Sequence, residues 1–206
     1  MGRGSFLAGL ALSLLPFAML PATSAAQDIT FGGKDVAEAR AGTYEIDPDH
    51  AAVIARVSHL RYSYSVFRFD KVGGTLTWDP ANIGKSTLTA VVQTGSITSN
   101  VKGFAETLTG VQFLKAAEFP QATFVSTAFR PTDATHGKVE GRFNLMGVTK
   151  PVTFDVELIG AGKGFEGRPR MGVHARATIY PQDYGFMPLF SDPVEILIDA
   201  EFVRNP

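Results

Sequence analysis

The sequence alternates between apolar and polar residues along most of its length, and this period of two limits the fold more than any other feature. The alternation is clearest in four segments, 138–145, 152–158, 171–179 and 194–202. Successive side chains of a β-strand point to opposite faces of the sheet, so each segment predicts a strand with one dry face and one wet face. Residues 146–149 separate the first two segments and predict a hairpin.

Weaker forms of the same pattern predict the remaining strands. These cover 43–47, 51–60, 65–78, 85–94 and 121–129. Within the third of them, the pair Gly73-Gly74 predicts a bulge or a corner. A different rhythm appears in 102–118, where apolar residues recur three and four positions apart, as in a short helix or two helical turns. Residues 160–169 and 181–193 predict surface loops.

About eight or nine strands of this kind can build either a barrel or a sandwich. Strands of about ten residues with mostly short connections favour an all-β, antiparallel, lipocalin-like barrel of about eight strands with a short helical insertion. A barrel of that size has an interior that can hold one small ligand. A jelly-roll sandwich with a filled core is the alternative fold.

The N-terminal segment differs from the rest of the chain. Arg3 gives it a positive start, residues 6–20 are almost entirely apolar, and small residues follow at 22–26. This order predicts a secretory signal peptide over residues 1–26. A membrane anchor is the alternative, but a bilayer span needs about 20 uninterrupted apolar residues, and Pro16 interrupts this shorter stretch.

Cleavage after Ala26 leaves residues 27–42 as an N-terminal extension without a clear pattern and residues 43–206 as one domain. The chain contains no cysteine. Because secreted eukaryotic domains of this size more often carry disulfides, the predicted location is the bacterial periplasm.

Composition excludes several functional classes. The 19 basic and 20 acidic residues leave a net charge of −1, so no basic field exists to collect nucleic-acid phosphates. The absence of cysteine excludes Cys-type zinc sites and thiol nucleophiles. The four histidines show no metal-ligand spacing, and neither a nucleophile elbow nor a phosphate-binding loop is present. We therefore predict no catalytic residue, no metal site and no cofactor.

Several short motifs resemble one known family when they are taken in order along the chain. They are Tyr44-Glu45-Ile46-Asp47, Val57-Ser58-His59-Leu60, Gly95-Ser96-Ile97-Thr98, Glu118-Phe119-Pro120-Gln121-Ala122-Thr123-Phe124, Gly147-Val148-Thr149-Lys150-Pro151-Val152 and Asp183-Tyr184-Gly185. Together they are similar to the YceI-like family of lipocalin-like, polyisoprenoid-binding proteins, and the fifth motif is the most specific. The resemblance implies a periplasmic barrel without enzymatic activity. Its apolar interior would hold a long isoprenoid lipid, such as a quinone or a polyprenyl chain.

The alternation also predicts which side chains face the interior. Arg68 and Asp70 point outward, which turns Phe67 and Phe69 inward. By the same reasoning the interior residues are Val57, His59, Phe67, Phe69, Leu76, Trp78, Leu88, Ala90, Val92, Phe124, Phe143, Leu145, Phe154 and Val156. They line a ligand pocket if the barrel is hollow and fill a core if it is not. His59 is either a hydrogen-bonded structural residue or a polar contact for a ligand head group.

A second group of apolar residues lies outside the alternating strands and is expected to close or border the pocket mouth. It comprises Phe104, Leu108 and Phe113 in the helical segment and Phe186 and Met187 in the late loop. Similar proteins tend to carry charged residues near Phe104, so this helical segment has lost charge and gained a ring. A plain packing role is the alternative for the whole group.

Two functional classes remain open, with an enzyme as a distant third. The first is a lipid-binding module that carries or sequesters an isoprenoid or quinone, with no nucleic-acid partner and with transient membrane contact. The second is a ligand-free barrel with a structural or interaction role. Each methylene buried from water is worth about 0.8 kcal/mol, but a lipid leaving a membrane gains much less, so we expect reversible carriage.

Overall fold

Ten strands form one antiparallel sheet within the part of the chain that the computed structural model describes, namely Met1 and residues 31–164, 167–188 and 191–206. The strands are β1 (Gly42–His59), β2 (Ser63–Phe69), β3 (Val72–Trp78), β4 (Thr87–Gln93), β5 (Ile97–Thr98), β6 (Gln121–Pro131), β7 (His136–Leu145), β8 (Val148–Lys163), β9 (Pro169–Ile179) and β10 (Val194–Arg204). Helix α1 (Phe104–Thr109) lies between β5 and β6. The predicted signal peptide, Met1 apart, lies outside the described residues.

The sheet closes into a barrel because β10 pairs with β1. Around the ring the order is β1, β3, β4, β6, β7, β8, β9 and β10, with antiparallel pairing throughout. β2 and β3 pair with different parts of β1, so the two short strands share one position in the ring. β5 pairs with β2 and shares the position of β4 in the same way. The predicted antiparallel barrel of about eight strands is confirmed, and the jelly-roll alternative is excluded.

The strand boundaries differ from the prediction in β1 and in the segment that follows it. Segments predicted separately at 43–47 and 51–60 form one strand, with a register shift between Ile46 and Ala51. Conversely, the single strand predicted at 65–78 is interrupted near Lys71, whose backbone oxygen accepts a hydrogen bond from Gln93 of β4 at 2.9 Å. A shift of register is a long-range fit between neighbours, so local alternation cannot locate it.

The two predicted loops contain more regular structure than the sequence indicates. Residues 160–163 belong to β8 rather than to a surface loop, and Ala161 exchanges backbone hydrogen bonds of 2.9 and 2.8 Å with Gly33 of the N-terminal extension. The segment 181–193 begins with a short 3₁₀ turn. In 102–118 the predicted short helix is confirmed as α1, and the chain continues in turns after Thr109.

The two ends of the barrel are built differently. At the end we call the α1 end, the chain leaves the barrel between β1 and β2, between β9 and β10, and through the long connection that contains α1. At the opposite end, the N-terminal extension is held by hydrogen bonds from Tyr44 Oη to Arg40 O (2.6 Å) and from Trp78 Nε1 to Ala39 O (3.0 Å). Ala39 and Tyr44 are both fully buried, so the extension packs across part of this end.

The helices of the described residues are all too short or too polar to cross a bilayer.

The pair Gly73-Gly74 gives a matched test of the packing between β3 and β4. A Cβ atom on Gly74 would lie 2.9 Å from Ala90 Cα and closer still to Thr89 O, whereas one on Gly73 would have no atom within 4 Å. We expect Gly74→Ala to lower the free energy of unfolding by about 1–3 kcal/mol, since β4 must move. Gly73→Ala should change it by less than about 0.5 kcal/mol, measured by chemical denaturation. Equal losses in the two variants would contradict this packing.

Candidate functional site

An apolar cavity of about 500 Å³ occupies the interior of the barrel. Its lining reaches from His59 and Phe104 at the α1 end to Trp78 and Ile83 at the opposite end, so the cavity follows the whole barrel. This volume lies within the range of about 300–1,000 Å³ that is typical of small-molecule pockets. The barrel is therefore hollow, which the alternation alone could not decide.

Every predicted site residue except Met187 lines this cavity. The lining includes Val57, His59, Phe67, Phe69, Leu76, Trp78, Leu88, Ala90, Val92, Phe104, Leu108, Phe113, Phe124, Phe143, Leu145, Phe154, Val156 and Phe186. Met187 was placed at the pocket mouth but is 42% exposed and lies outside the lining, since its neighbour Phe186 takes the inward position. Whether the lining residues contact a ligand stays a prediction.

The sequence analysis missed part of the lining. Strand residues such as Val53, Ala55 and Ile196 follow the same alternation and could have been included by parity. Val36 and Ile83 could not, because each lies in a short 3₁₀ turn whose position depends on contacts made across the opposite end.

Aromatic rings form much of the cavity wall. Phe124 and Phe154 meet edge to face with centroids 5.1 Å apart, and both are buried. Small residues lie beside them, including Ala90, which is directly opposite Phe124 in the β4–β6 pairing. Gly141 of β7 also lies beside these rings, and a Cβ atom there would lie 2.6 Å from Val125 O and overlap the ring of Phe124.

Helix α1 closes the α1 end with a chain of rings. The Phe104 ring lies 6.0 Å from that of Phe67 and 6.5 Å from that of Phe113. Leu108 is buried beneath them, while Phe104 and Phe113 stay half-buried. Phe104 and Leu108 therefore lie between the cavity and the surface at this end, and their role at a ligand entrance stays a prediction.

Polar groups in the lining are confined to the ends. His59 ends β1 at the α1 end and is exposed, a position that suits a contact with the polar part of a ligand better than a buried structural role. At the opposite end the lining includes Arg130, Asp133 and His136. The backbone N–H of Thr135 and the ring of His136 hydrogen-bond the Asp133 carboxylate, and its pKa falls to about 2.

A separate cluster of charged groups lies on the barrel wall beside the register shift of β1. Asp47, His50 and Glu201 bring their ligand-type atoms within 4.8 Å of one another, which the sequence did not predict. Arg170 Nη1 donates hydrogen bonds of 2.8 Å to both Asp47 Oδ2 and Glu201 Oε2. Because the Arg170 guanidinium already pairs with both carboxylates, the cluster is an ion-pair network that joins β1, β9 and β10 beside the shifted register.

The Asp47 carboxyl gives this network a pH dependence. Burial works to raise its pKa, but hydrogen bonds from His50 and Arg170 outweigh burial and hold the pKa below the ordinary value. Its contribution to stability is therefore present above about pH 4 and is lost as the pH falls through the lowered pKa. We expect Asp47→Asn to unfold more easily than wild type at pH 7, and the difference to shrink below about pH 4. A difference in the free energy of unfolding that stays constant from pH 7 to pH 3, measured by urea denaturation, would contradict this.

A closed antiparallel barrel around an apolar cavity defines the lipocalin-like class of barrel proteins. Comparison with known proteins gives the family within that class. The family model for the YceI-like domain matches residues 44–202, and the chain belongs to this family.

Curated relatives match over most of their length. A UPF0312 protein of Pseudomonas putida strain W619 is 36% identical over 169 residues, covering 81% of this chain and 88% of the relative. Protein YceI of Salmonella newport is 34% identical over 170 residues, covering 80% of this chain and 88% of the relative. The two alignments support the same family.

Solved structures share the fold. BcnA of Burkholderia cenocepacia is similar with a TM-score of 0.66 at 22% identity, covering 78% of this chain and 99% of that chain. A polyisoprenoid binding domain from Saccharophagus degradans, implicated in plant cell wall breakdown, has a TM-score of 0.58 at 12% identity, covering 81% and 100%. At these identities the likeness establishes the barrel and nothing finer.

Proposed function

We propose that the protein binds a long isoprenoid lipid of the quinone or polyprenyl type inside the barrel and carries or sequesters it in the periplasm. The observation that carries this proposal is the apolar cavity that follows the length of the barrel. A chain of methyl-branched units is long, narrow and apolar, so it matches such a space in shape and polarity. Membership of the YceI-like family and the likeness to a polyisoprenoid binding domain support the same ligand class.

The distribution of polar groups favours binding over catalysis. The titratable side chains of the lining are His59 at one end and Arg130, Asp133, His136 and Lys138 at the other. A reaction needs such groups to converge on one reacting bond, with a nucleophile and a base within hydrogen-bond reach. Here His59 lies alone at one end. The other four lie at the opposite end with largely exposed side chains that form ion pairs, where they can contact the polar head of an amphiphile. The cavity also distinguishes this function from that of a purely structural barrel, whose interior would be filled.

The location is part of the proposal. The N-terminal pattern that predicts a signal peptide supports export, and the cysteine-free sequence is consistent with a domain that folds without disulfides. A lipid of this type is insoluble in the aqueous space between two membranes. A barrel that shields its chain from water would keep it dispersed there.

Replacement of Phe104 by Asp tests the proposal at the α1 end. Delipidated protein is mixed with a ubiquinone in detergent micelles and separated by gel filtration, and the retained quinone is counted. We expect wild type to retain quinone and Phe104→Asp to lose it about tenfold or more, because a half-buried ring at the mouth becomes a carboxylate. The melting temperature should fall much less, since α1 packs on the barrel rather than within its sheet. Equal losses of retention and stability would assign Phe104 a packing role, and no retention by wild type would overturn the proposal.

A further inference from the structure

Exposed apolar side chains gather at the α1 end of the barrel. We call Leu60, Tyr62, Val101, Val111 and Tyr180 the apolar rim. All of them are more than half exposed, and Tyr62 and Val111 reach 89% and 82%. Apolar side chains scattered singly over a surface need no explanation, but a group at one end of a molecule indicates an interaction site.

The apolar rim comes from separate parts of the chain. Leu60 and Tyr62 lie in the turn between β1 and β2, and Val101 and Val111 flank helix α1. Tyr180 begins the connection between β9 and β10, which an ion pair between Arg61 and Asp192 (2.9 Å) ties to the β1–β2 turn. Because these connections leave the barrel at the same end, their apolar side chains surround the cavity end that Phe104 and Phe113 close.

The opposite end has another character. Its turn between β6 and β7 exposes Asp133, His136 and Lys138 beside Arg130. The N-terminal extension also packs there, fixed by the hydrogen bonds of Tyr44 and Trp78. The two ends therefore differ: the opposite end carries these charged side chains and the N-terminal extension, whose Phe31 is 85% exposed, and the α1 end carries the apolar rim.

We propose that the apolar rim docks on the surface of a lipid bilayer and places the cavity mouth against the membrane. This inference rests on the proposed function, because an isoprenoid passing between a bilayer and the cavity would otherwise have to cross water. Phe104 is half-buried and belongs to the cavity lining, so a barrel docked by the rim would hold this apolar end of the cavity against the acyl chains. Tyrosine suits the interface between head groups and acyl chains, where one end of its ring is apolar and the other wet.

The side-chain chemistry of the rim, rather than its charge, makes a bilayer the partner. Lys102 is exposed next to Val101, but Glu106 of α1 is exposed as well, and Arg61 is paired with Asp192 at 2.9 Å. Tyr62 and Tyr180 supply rings suited to the boundary between head groups and acyl chains. Because the rim would contact the bilayer surface without crossing the bilayer, docking is transient.

The test is flotation with vesicles of phosphatidylethanolamine and phosphatidylglycerol, using the double variant Val101→Asp/Val111→Asp. These valines lie outside the cavity lining and in connections rather than strands, so the fold should tolerate both changes. Val125→Asp is the matched control, since Val125 is 47% exposed on the outer face of β6, away from the rim. We expect the double variant to lose vesicle binding about tenfold or more and Val125→Asp to bind like wild type.

A second readout separates this inference from the proposed function. Quinone retention after loading from detergent micelles should be the same in wild type, control and double variant, while quinone transfer between vesicles slows in the double variant alone. Unchanged flotation and transfer in the double variant would overturn the docking surface and leave lipid binding intact. Absence of flotation by wild type would also overturn it, and would point to a protein acceptor. Absence of retention by wild type would overturn the proposed function whatever the flotation shows.

Discussion

Ala90→Phe is expected to leave the delipidated barrel as stable as wild type and to remove most of its isoprenoid binding. Ala90 lines the cavity on β4 and faces Phe124 of β6, so a larger side chain there extends into open space. In a filled core the same change would overpack the interior and cost about 1–3 kcal/mol or more. In the cavity the new ring displaces roughly four methylene-sized groups of ligand, worth about 3 kcal/mol, which lowers affinity about a hundredfold.

The adjacent residue supplies the control for Ala90→Phe. Thr89 is exposed on the outer face of the same strand, so Thr89→Phe adds the same ring outside the barrel. We expect Thr89→Phe to bind quinone like wild type, and urea denaturation of the delipidated proteins to give closely similar stabilities for all three. A strongly destabilised Ala90→Phe that still binds quinone would refute the assignment of this position to the pocket.

Phe124→Ala is expected to cause the largest loss of stability. The Phe124 ring is 6% exposed and meets Phe154 edge to face. It also packs so closely on Gly141 that residue 141 has no room for a side chain. Its removal deletes these contacts and enlarges the cavity, and Phe→Ala changes in such positions typically cost about 3–5 kcal/mol.

Chemical denaturation of the delipidated protein measures this loss. Tyr62→Ala is the control, because an 89% exposed ring should change the free energy of unfolding by less than about 0.5 kcal/mol. A bound lipid that occupies the enlarged space would restore part of the loss in Phe124→Ala, since ligand binding to the folded state alone stabilises it. A loss below about 1 kcal/mol without lipid would contradict the role of the Phe124–Phe154 pair.

The strands and the inward residues could be predicted because both depend on local alternation. Phe67 and Phe69 face inward since Arg68 and Asp70 cannot, and this argument needs no knowledge of neighbouring strands. The alternation does not predict whether the inward-facing rings contact each other across the barrel. The hollow interior depends on the distance between opposite walls, which local sequence does not encode.

The remaining features depend on contacts between residues far apart in sequence. The register shift in β1 accompanies the ion pairs of Arg170 with Asp47 and with Glu201, and no local pattern joins these residues. Val36 reaches the cavity because the N-terminal extension is held by Tyr44 and Trp78, although the extension itself has no periodicity. Met187 lies outside the cavity lining beside Phe186, and a loop offers no parity with which to choose between such neighbouring side chains.

Native mass spectrometry of the protein purified from its own cells tests the central claim most directly, because it shows what the cavity holds before any ligand is added. The account predicts a second species, heavier than the bare chain by the mass of one isoprenoid lipid, which disappears after extraction with organic solvent. The extracted compound should have the mass of a quinone or a polyprenyl lipid. A protein that appears at the mass of its bare chain alone, under conditions gentle enough to keep noncovalent ligands bound, would contradict the account.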